Sequence, residues 1–138
     1  VYFQSVMHAM KERPDFAMLV GPEEMTGECV LMGGHGGING GANMFPELYV
    51  SMYRAAKAGN LPEVRRLQQY IMQISSTIYK VGKHGSSYLK GLKCAMSILG
   101  IINDDFVASP FYKFHEPERE KIRQALEQLP IENGKLII

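Results

Sequence analysis

The chain has 138 residues, of which 46% are hydrophobic and 21% charged, a composition that suits one globular core and excludes extended disorder. Its formal net charge is +1, with acids and bases spread along the chain, which provides no long-range attraction for nucleic acid or for an anionic membrane. No apolar run approaches the roughly 20 residues of a bilayer span and no signal-peptide pattern is present, so we predict a cytoplasmic protein.

The first residues allow two interpretations. Residues 1–5 (VYFQS) resemble the remainder of a cleaved purification tag, which would place them outside the fold. The apolar residues among them, however, continue at helical spacing to Met10, and residues 11–14 (KERP) would end such a helix. We favour native sequence and predict a helix over residues 1–10.

The next segment has the pattern of a strand, a helix and a strand. Residues 16–20 (FAMLV) form a wholly apolar run between turn-forming residues, as expected of a strand that is covered on both faces. Residues 36–39 are predicted to form a second short strand. With the helix that follows it, the βαβα order predicts parallel strands. The intervening helix, residues 23–32, has three inward residues, Met25, Cys29 and Met32.

The chain beyond these strands is predicted to be helical. Asn43 is expected to cap a helix that ends at Gly59. Its inward residues are Leu48, Met52 and Ala55. Asn60 and Glu63 form an N-x-x-E capping box before a long amphipathic helix. The apolar stripe of that helix comprises Leu61, Val64, Leu67, Ile71, Ile74, Ile78 and Val81.

Two further helices complete the predicted set. One is capped by Ser86 or Ser87, although Gly91 in its interior costs about 1 kcal/mol relative to alanine. Its inward residues are Leu89, Leu92, Met96 and Leu99. The final helix begins at Pro117 and is stopped by Pro130. Its narrow apolar stripe consists of Ile122, Leu126 and Leu129.

A tract with six glycines occupies residues 33–43 (GGHGGINGGAN). Such a cluster between apolar segments indicates tight turns, a ligand near the main chain or close packing of backbones. A phosphate-binding loop does not fit, because Asn39 stands where a dinucleotide motif needs glycine and Ala42 where a Walker motif needs lysine. A nucleotide-binding module is therefore only our third functional hypothesis.

The predicted sheet is incomplete. Two parallel strands leave unpaired edges on both sides, and the few helices of this chain cannot cover an apolar strand on both faces. We infer that the sheet is completed by another segment or another copy. Six more βα units ahead of these two would make an eight-stranded barrel of about 250 residues.

Four motifs resemble, in this order, the C-terminal part of the dihydrodipicolinate synthase and N-acetylneuraminate lyase family. They are residues 21–24 (GPEE), 31–38 (LMGGHGGI), 42–43 (AN) and 91–93 (GLK). The resemblance implies an α/β fold, namely the C-terminal part of a (β/α)8 TIM barrel, about its last two βα units, followed by a three-helix extension.

The resemblance also implies a domain organisation. Residues 1–59 would hold the end of the sixth helix and the seventh and eighth βα units. Residues 60–130 would form the C-terminal helical extension. Residues 131–138 would be a weakly specified tail, in which an Asn-Gly pair predicts a turn.

Family members are class I pyruvate-dependent aldolases. A lysine on the sixth strand forms a Schiff base with pyruvate, and an upstream tyrosine moves protons. Both are expected ahead of Val1, so we predict no catalytic residue and no cofactor in this chain, which would be inactive alone. Lys93 has a family-like position in the extension and is expected to be structural.

The resemblance assigns the back wall of the site to this chain, since such sites lie at the C-terminal ends of the strands. The backbone carbonyl of Ile38 would contact the keto acid. Glu23 and Glu24 match acids that bind substrate hydroxyls, although the helix dipole favours acids there in any case. Gly40 stands where sialic-acid lyases tend to have serine, which disfavours that substrate. The candidate substrate-binding residues are Gly21, Glu23, Glu24, Gly37, Ile38, Asn39 and Gly40.

Other reactive side chains are expected to be structural. His35 has no neighbouring carboxylate to orient it as a base, and the remaining histidines are too scattered to suggest a metal site. Cys29 and Cys94 have neither CxxC spacing nor a local histidine partner, which predicts buried thiols. The tyrosines on the predicted helices, including Tyr49 and Tyr79, are expected to be core or interface residues.

Our leading hypothesis is a parent enzyme that condenses or cleaves pyruvate with an aldehyde or a sugar acid. Aspartate-semialdehyde condensation, sialic-acid cleavage, and 2-keto-3-deoxy sugar-acid cleavage or dehydration all remain open, and the paired acids favour hydroxyl-bearing substrates. By resemblance the enzyme would be a homotetramer, with the N-terminal part of the barrel completing the site. The alternative is a non-catalytic half-barrel with a binding or regulatory role.

Overall fold

The computed structural model describes residues 2–138, which form six α-helices and two small sheets. The helices are α1 (Tyr2–Ala9), α2 (Thr26–Leu31), α3 (Pro46–Lys57), α4 (Leu61–Thr77), α5 (Ser87–Ile98) and α6 (Glu118–Glu127). The strands are β1 (Leu19–Val20), β2 (Gly36–Gly37), β3 (Ile131–Glu132) and β4 (Lys135–Leu136). Short 3-10 turns span Glu23–Met25, Gly40–Asn43 and Ile78–Lys80. Across these residues, no helix combines the length and apolarity that a membrane span requires.

The N-terminal helix agrees with its prediction. The predicted residues 1–10 contain α1, whereas Val1 lies outside the described residues. None of the residues of α1 is buried. Its contact with the rest of the described chain includes a hydrogen bond of 3.4 Å from the side-chain amide of Gln4 to the carboxylate of Glu28.

The two central strands are parallel, as predicted. Leu19 lies opposite Gly36 and Val20 opposite Gly37. Within residues 2–138 the apolar run 16–20 is not covered on both faces, as the inference of an incomplete sheet expects: Leu19 is 46% exposed and only Val20 of that run is buried. The physical reason is that α2 packs against both strands but no third strand within residues 2–138 pairs with either of them.

Two local predictions around the first helices are wrong. Met32 does not face inward but is 61% exposed, because α2 ends at Leu31 and the chain then leaves the helical path. Asn43 does not cap α3. It lies in the preceding 3-10 turn, where its side-chain amide donates to the carbonyl of Gly40 at 2.9 Å. The helix begins instead at Pro46, whose lack of an N–H costs nothing at that position.

The core lies among the helices of the second half and α3. The side-chain oxygen of Asn60 accepts a hydrogen bond from the backbone N–H of Glu63 at 3.3 Å, which confirms the predicted cap of α4. The inward residues predicted for α3 are buried, as are most of those predicted for α4 and α6. The exceptions in the predicted stripe of α4 are Leu61, which is exposed in the first turn, and Val81, which is only half-buried after the 3-10 turn. The helix also stops at Thr77, before a 3-10 turn that keeps Ile78 buried.

The glycine inside α5 has a packing function. A Cβ at Gly91 would overlap the carbonyl oxygen of Ile78, so α5 crosses the preceding 3-10 turn with the backbones in contact. The close contact explains why a residue of poor helix propensity stands there. Ser86 occupies the cap position but its side chain makes no capping hydrogen bond, and Leu89, predicted to face inward, is exposed.

The tail is more ordered than predicted. Residues 131–138 form the antiparallel hairpin β3–β4, with Ile131 opposite Leu136. The predicted turn is confirmed, since Asn133 and Gly134 both have positive φ, 50° and 74°. Leu136 is buried against the core, which anchors the hairpin.

Candidate substrate-binding wall

The segments that follow the two parallel strands lie side by side. The backbone N–H of Ile38 donates to the carbonyl of Val20 at 2.9 Å, which extends the pairing beyond β2. The side-chain amide of Asn39 donates to the carbonyl of Gly21 at 3.5 Å, and its oxygen accepts from the hydroxyl of Thr26 at 3.0 Å. The fold thus brings together predicted site residues from both strand ends.

Ile38 is the most open residue of this wall. Its side chain is 72% exposed, and within residues 2–138 its carbonyl oxygen accepts no hydrogen bond. A free carbonyl at the end of a strand is available to a ligand that donates a hydrogen bond.

Glu23 lies at the centre of a cluster that we call the tyrosine cluster and define as Glu23, Tyr49, Tyr79 and Tyr88; the first three are buried and Tyr88 is exposed. The residue Glu23 is 3% exposed. It accepts hydrogen bonds from the hydroxyls of Tyr79 and Tyr88, each at 3.3 Å, and from that of Tyr49. The backbone N–H of Gly41 also donates to it at 3.3 Å. The cluster therefore ties the loop after β1 to α3, to the turn after α4 and to α5.

The electrostatics of the cluster follow from burial. Burial raises the pKa of the Glu23 carboxyl, and the hydrogen bonds from Gly41, Tyr79 and Tyr88 oppose that rise. Burial and the nearby Glu23 charge also raise the pKa of Tyr79, so its phenol stays protonated and donates. Because both carboxyl oxygens already have partners inside the protein, this placement favours a positioning role for Glu23 over direct contact with a substrate.

Two of the six glycines of the tract are explained by the same cluster. A Cβ at Gly41 would overlap the Tyr49 hydroxyl and the Glu23 carboxyl, and one at Gly40 would overlap the Tyr88 hydroxyl. At these two positions the close neighbours are side chains of the chain itself. Sequence analysis missed this, because the partners lie 26 to 65 residues from Glu23 along the chain.

Glu24 has a different environment from its neighbour. Its carboxylate accepts a hydrogen bond from the hydroxyl of Ser75, and its backbone carbonyl accepts one from the side chain of Gln68 at 2.8 Å. It lines a cavity of about 470 Å³, which we call the loop cavity and which residues 80–88 largely enclose. Glu24 is therefore accessible to a small molecule in a way that Glu23 is not.

The other reactive side chains serve the fold. The ring nitrogen Nδ1 of His35 accepts a hydrogen bond from the backbone N–H of Met18 at 2.9 Å, so this histidine supports the strand edge. Lys93 donates to the carbonyl of Phe106 at 2.7 Å. Cys29 and Cys94 are both buried thiols, as predicted. Among residues 2–138, no three metal-ligating side chains converge on one point.

Comparison with known proteins confirms the resemblance. A family model described as the dihydrodipicolinate synthetase family matches residues 3–129. A 4-hydroxy-tetrahydrodipicolinate synthase of Prosthecochloris aestuarii is 28% identical over 125 residues, which cover 90% of this chain and 40% of the relative. A probable 2-dehydro-3-deoxy-D-pentonate aldolase of Escherichia coli, YjhH, is 25% identical over 126 residues, which cover 91% and 40%.

Solved structures agree. The dihydrodipicolinate synthase of Bacteroides thetaiotaomicron is 69% identical with a TM-score of 0.89, over 93% of this chain and 43% of that one. The E. coli protein YagE in complex with pyruvate has a TM-score of 0.80 at 23% identity, over 91% and 41%, and shows the fold alone. These neighbours are TIM-barrel proteins, of which this chain matches a part. The chain spans about two fifths of the length of the curated relatives it matches, for example 40% of the synthase. The chain therefore belongs to the dihydrodipicolinate synthetase family.

Proposed function

We propose that this chain forms the back wall of the pocket of a Schiff-base lyase or synthase, which condenses or cleaves pyruvate with an aldehyde. The observation that carries the proposal is the carbonyl of Ile38, which directly follows β2 and accepts no hydrogen bond within residues 2–138, in a chain of this family. The pyruvate bound to YagE and the catalytic lysine named for the Ruminococcus gnavus sialic acid aldolase, a neighbour with a TM-score of 0.72 at 22% identity, support the same chemistry.

The chemistry of imine formation explains why a backbone carbonyl that can accept a hydrogen bond is useful in this part of the pocket. A lysine amine adds to the keto carbon of pyruvate, and loss of water from the carbinolamine leaves the imine. A carbonyl oxygen can only accept hydrogen bonds, so its partner must be a donor on that carbon, either the carbinolamine hydroxyl or the iminium N–H. We assign this acceptor role to Ile38.

The neighbouring residues position that acceptor. Asn39 bridges Gly21 and Thr26, which holds the segment after β2 against the loop after β1. Gly37 leaves no room for a side chain beside Asn39 and Thr26. Glu23 fixes the loop after β1 through the hydrogen bonds that it accepts from Tyr79 and Tyr88. Precise placement of a hydrogen-bonding group is what such a site requires.

The nucleophile is assigned to a preceding part of the protein. A Schiff-base lysine must be neutral and is usually desolvated. No lysine of residues 2–138 lies on β1 or β2, and Lys93 is engaged with a backbone carbonyl. We therefore expect residues 1–138 alone to be inactive.

Borohydride trapping tests the proposal. The full-length protein is incubated with pyruvate and sodium borohydride, and its mass is compared with that of a sample without pyruvate. We expect the mass to rise by one reduced pyruvyl group, located by peptide mapping on a lysine ahead of residue 1. Residues 1–138 alone serve as the control and should gain nothing. An unchanged mass of the full-length protein would rule out the imine mechanism.

A further inference from the structure

We propose that Thr26 is a positioning residue for imine formation, because its hydroxyl fixes the direction of the Ile38 carbonyl through the side chain of Asn39. The inference rests on the proposed function, since it concerns the acceptor assigned to Ile38. It goes further by giving a role in the reaction to a buried side chain of α2 that no motif of the sequence indicated.

The hydroxyl of Thr26 is used outside its own helix. Thr26 is the first residue of α2 and is 2% exposed. Its hydroxyl donates to the side-chain oxygen of Asn39 at 3.0 Å, 13 residues further along the chain. A buried hydroxyl is costly without a partner, so this hydrogen bond compensates for the burial of Thr26. The same bond fixes the orientation of the Asn39 side chain.

The glycine before Ile38 leaves room for this contact. A Cβ at Gly37 would overlap the side-chain amide of Asn39 and the hydroxyl of Thr26. Any larger residue at position 37 would therefore push these two side chains apart. Gly37, Thr26 and Asn39 thus form one unit around the strand end that carries the acceptor.

The hydrogen bond acts on the carbonyl through the rigid peptide group. The Ile38 carbonyl belongs to the planar unit that joins Ile38 to Asn39. On one side of this unit, the N–H of Ile38 donates to the carbonyl of Val20 at 2.9 Å. On the other side, Asn39 is held by Thr26. Loss of the Thr26 hydroxyl releases one of these two anchors and lets the carbonyl turn.

A turned carbonyl should affect the reaction rate and not the first binding of pyruvate. Pyruvate has no hydrogen-bond donor, so a backbone carbonyl contributes no hydrogen bond to its initial complex. A donor on the keto carbon exists only after the lysine has added, first as the carbinolamine hydroxyl and then as the iminium N–H. Misplacement of the acceptor therefore slows imine formation at saturating pyruvate.

Time-resolved borohydride trapping of the full-length protein tests the inference. It measures the rate of imine formation as a function of pyruvate concentration. Thr26→Val keeps the shape of the side chain and removes the hydroxyl, whereas Thr26→Ser keeps the hydroxyl. The matched control is Thr77→Val, which removes another partly buried threonine hydroxyl, the one that donates to the carbonyl of Gln73 at 2.6 Å in α4.

We expect Thr26→Val to lower the maximal rate about tenfold, because the acceptor is displaced rather than deleted. The half-saturating pyruvate concentration should change by less than about twofold, since ground-state binding is retained. Thr26→Ser and Thr77→Val should react like the wild-type protein. The inference is overturned if folded Thr26→Val reacts at the wild-type rate, or if Thr26→Ser is as slow as Thr26→Val.

Asn39→Ala breaks the same hydrogen bond from its half-buried end, so it tests the inference even if Thr26→Val does not fold. It should show the same lower maximal rate at an unchanged half-saturating concentration. Adding Thr26→Val to Asn39→Ala should slow the reaction no further, because both changes remove one contact. Independent, multiplying losses would show that Thr26 does not act through Asn39.

The same measurement separates this inference from the proposed function. If the wild-type protein traps no pyruvate, the proposed function fails and the role of Thr26 fails with it. If the wild-type protein traps pyruvate and the folded Thr26 and Asn39 variants trap it equally fast, only the positioning role is wrong.

Discussion

Two adjacent glutamates of the loop after β1 have opposite environments. Glu23 is enclosed by the tyrosines of its cluster, whereas Glu24 lines the loop cavity, which two lysines and a histidine also line. Their residue type and position in a first helical turn are the same, so local sequence gives both the same expectation. The difference teaches that the role of a carboxylate is set by which distant side chains surround it.

Removing the buried acid is expected to have the largest effect. Glu23→Ala leaves three tyrosine hydroxyls without their acceptor, two of them deeply buried, and should lower the free energy of unfolding by about 3–5 kcal/mol. Glu24→Ala is the matched control, and its cost should stay within about 1 kcal/mol. Urea denaturation of the full-length proteins measures both. If both variants lose the same free energy of unfolding, the contrast between the buried Glu23 and the accessible Glu24 is wrong.

Two glycines, one beside the tyrosine cluster and one at the loop cavity, test the same contrast by the space available for an added methyl group. In Gly41→Ala the added methyl group would overlap the Tyr49 hydroxyl and the Glu23 carboxyl, which should cost about 1–3 kcal/mol. Gly85→Ala, at the rim of the loop cavity, places its methyl group in open space and should change stability by less than about 0.5 kcal/mol. Thermal melting distinguishes them. A tolerated Gly41→Ala would mean that the cluster is looser than described.

Deleting one donor sharpens the energetic estimate. Tyr88→Phe removes one hydrogen bond to Glu23 and should cost about 1 kcal/mol, because the other donors remain. The exposed Tyr112 makes no such contact, so Tyr112→Phe should be neutral in the same urea titration. A neutral Tyr88→Phe would show that its hydroxyl contributes nothing to the cluster.

The pH dependence of stability gives the smallest expected effect. Because burial raises the pKa of Glu23 above its ordinary value of 4.5, the folded protein holds this proton more tightly than the unfolded chain. The stabilisation from that proton is complete below the ordinary pKa and is lost as the pH rises through the raised one.

The measurement compares the wild-type protein with Glu23→Gln between about pH 4 and pH 7. The free energy of unfolding of the wild-type protein should decrease relative to that of Glu23→Gln as the pH rises. If it increases instead, the hydrogen bonds outweigh burial and lower the pKa of Glu23.

Local rules predicted much of the fold. The cap at Asn60, the parallel strands and the Asn133–Gly134 turn each depend on residues within a few positions or on the order of neighbouring elements, and all three are confirmed. Some predictions failed because an element began or ended at a different residue from the one that its pattern indicated. Met32 and Asn43 lie just outside their helices, so an error of a few residues reversed their roles.

The candidate site was likewise predictable from the sequence only in part. The motifs around Gly21 and Ile38 were sufficient to identify the family and to place two strand ends together. The tyrosines that enclose Glu23 could not be found from spacing, because each comes from a different helix or turn. The presence of glycine at position 91 could not be explained from the sequence either, because it depends on a close backbone contact with Ile78 in the preceding turn.

The sequence by itself thus determined the family, the parallel pair of strands, the amphipathic helices and the cap of α4, because these depend on local chemistry and on motifs that persist in one stretch of chain. Only the tertiary structure decided that Glu23 is a buried anchor and that Glu24 lines a cavity that Lys80 and Lys83 also line. The reason is physical, since burial and hydrogen-bond partners depend on how distant segments meet. Two identical residues one position apart can therefore have different functions.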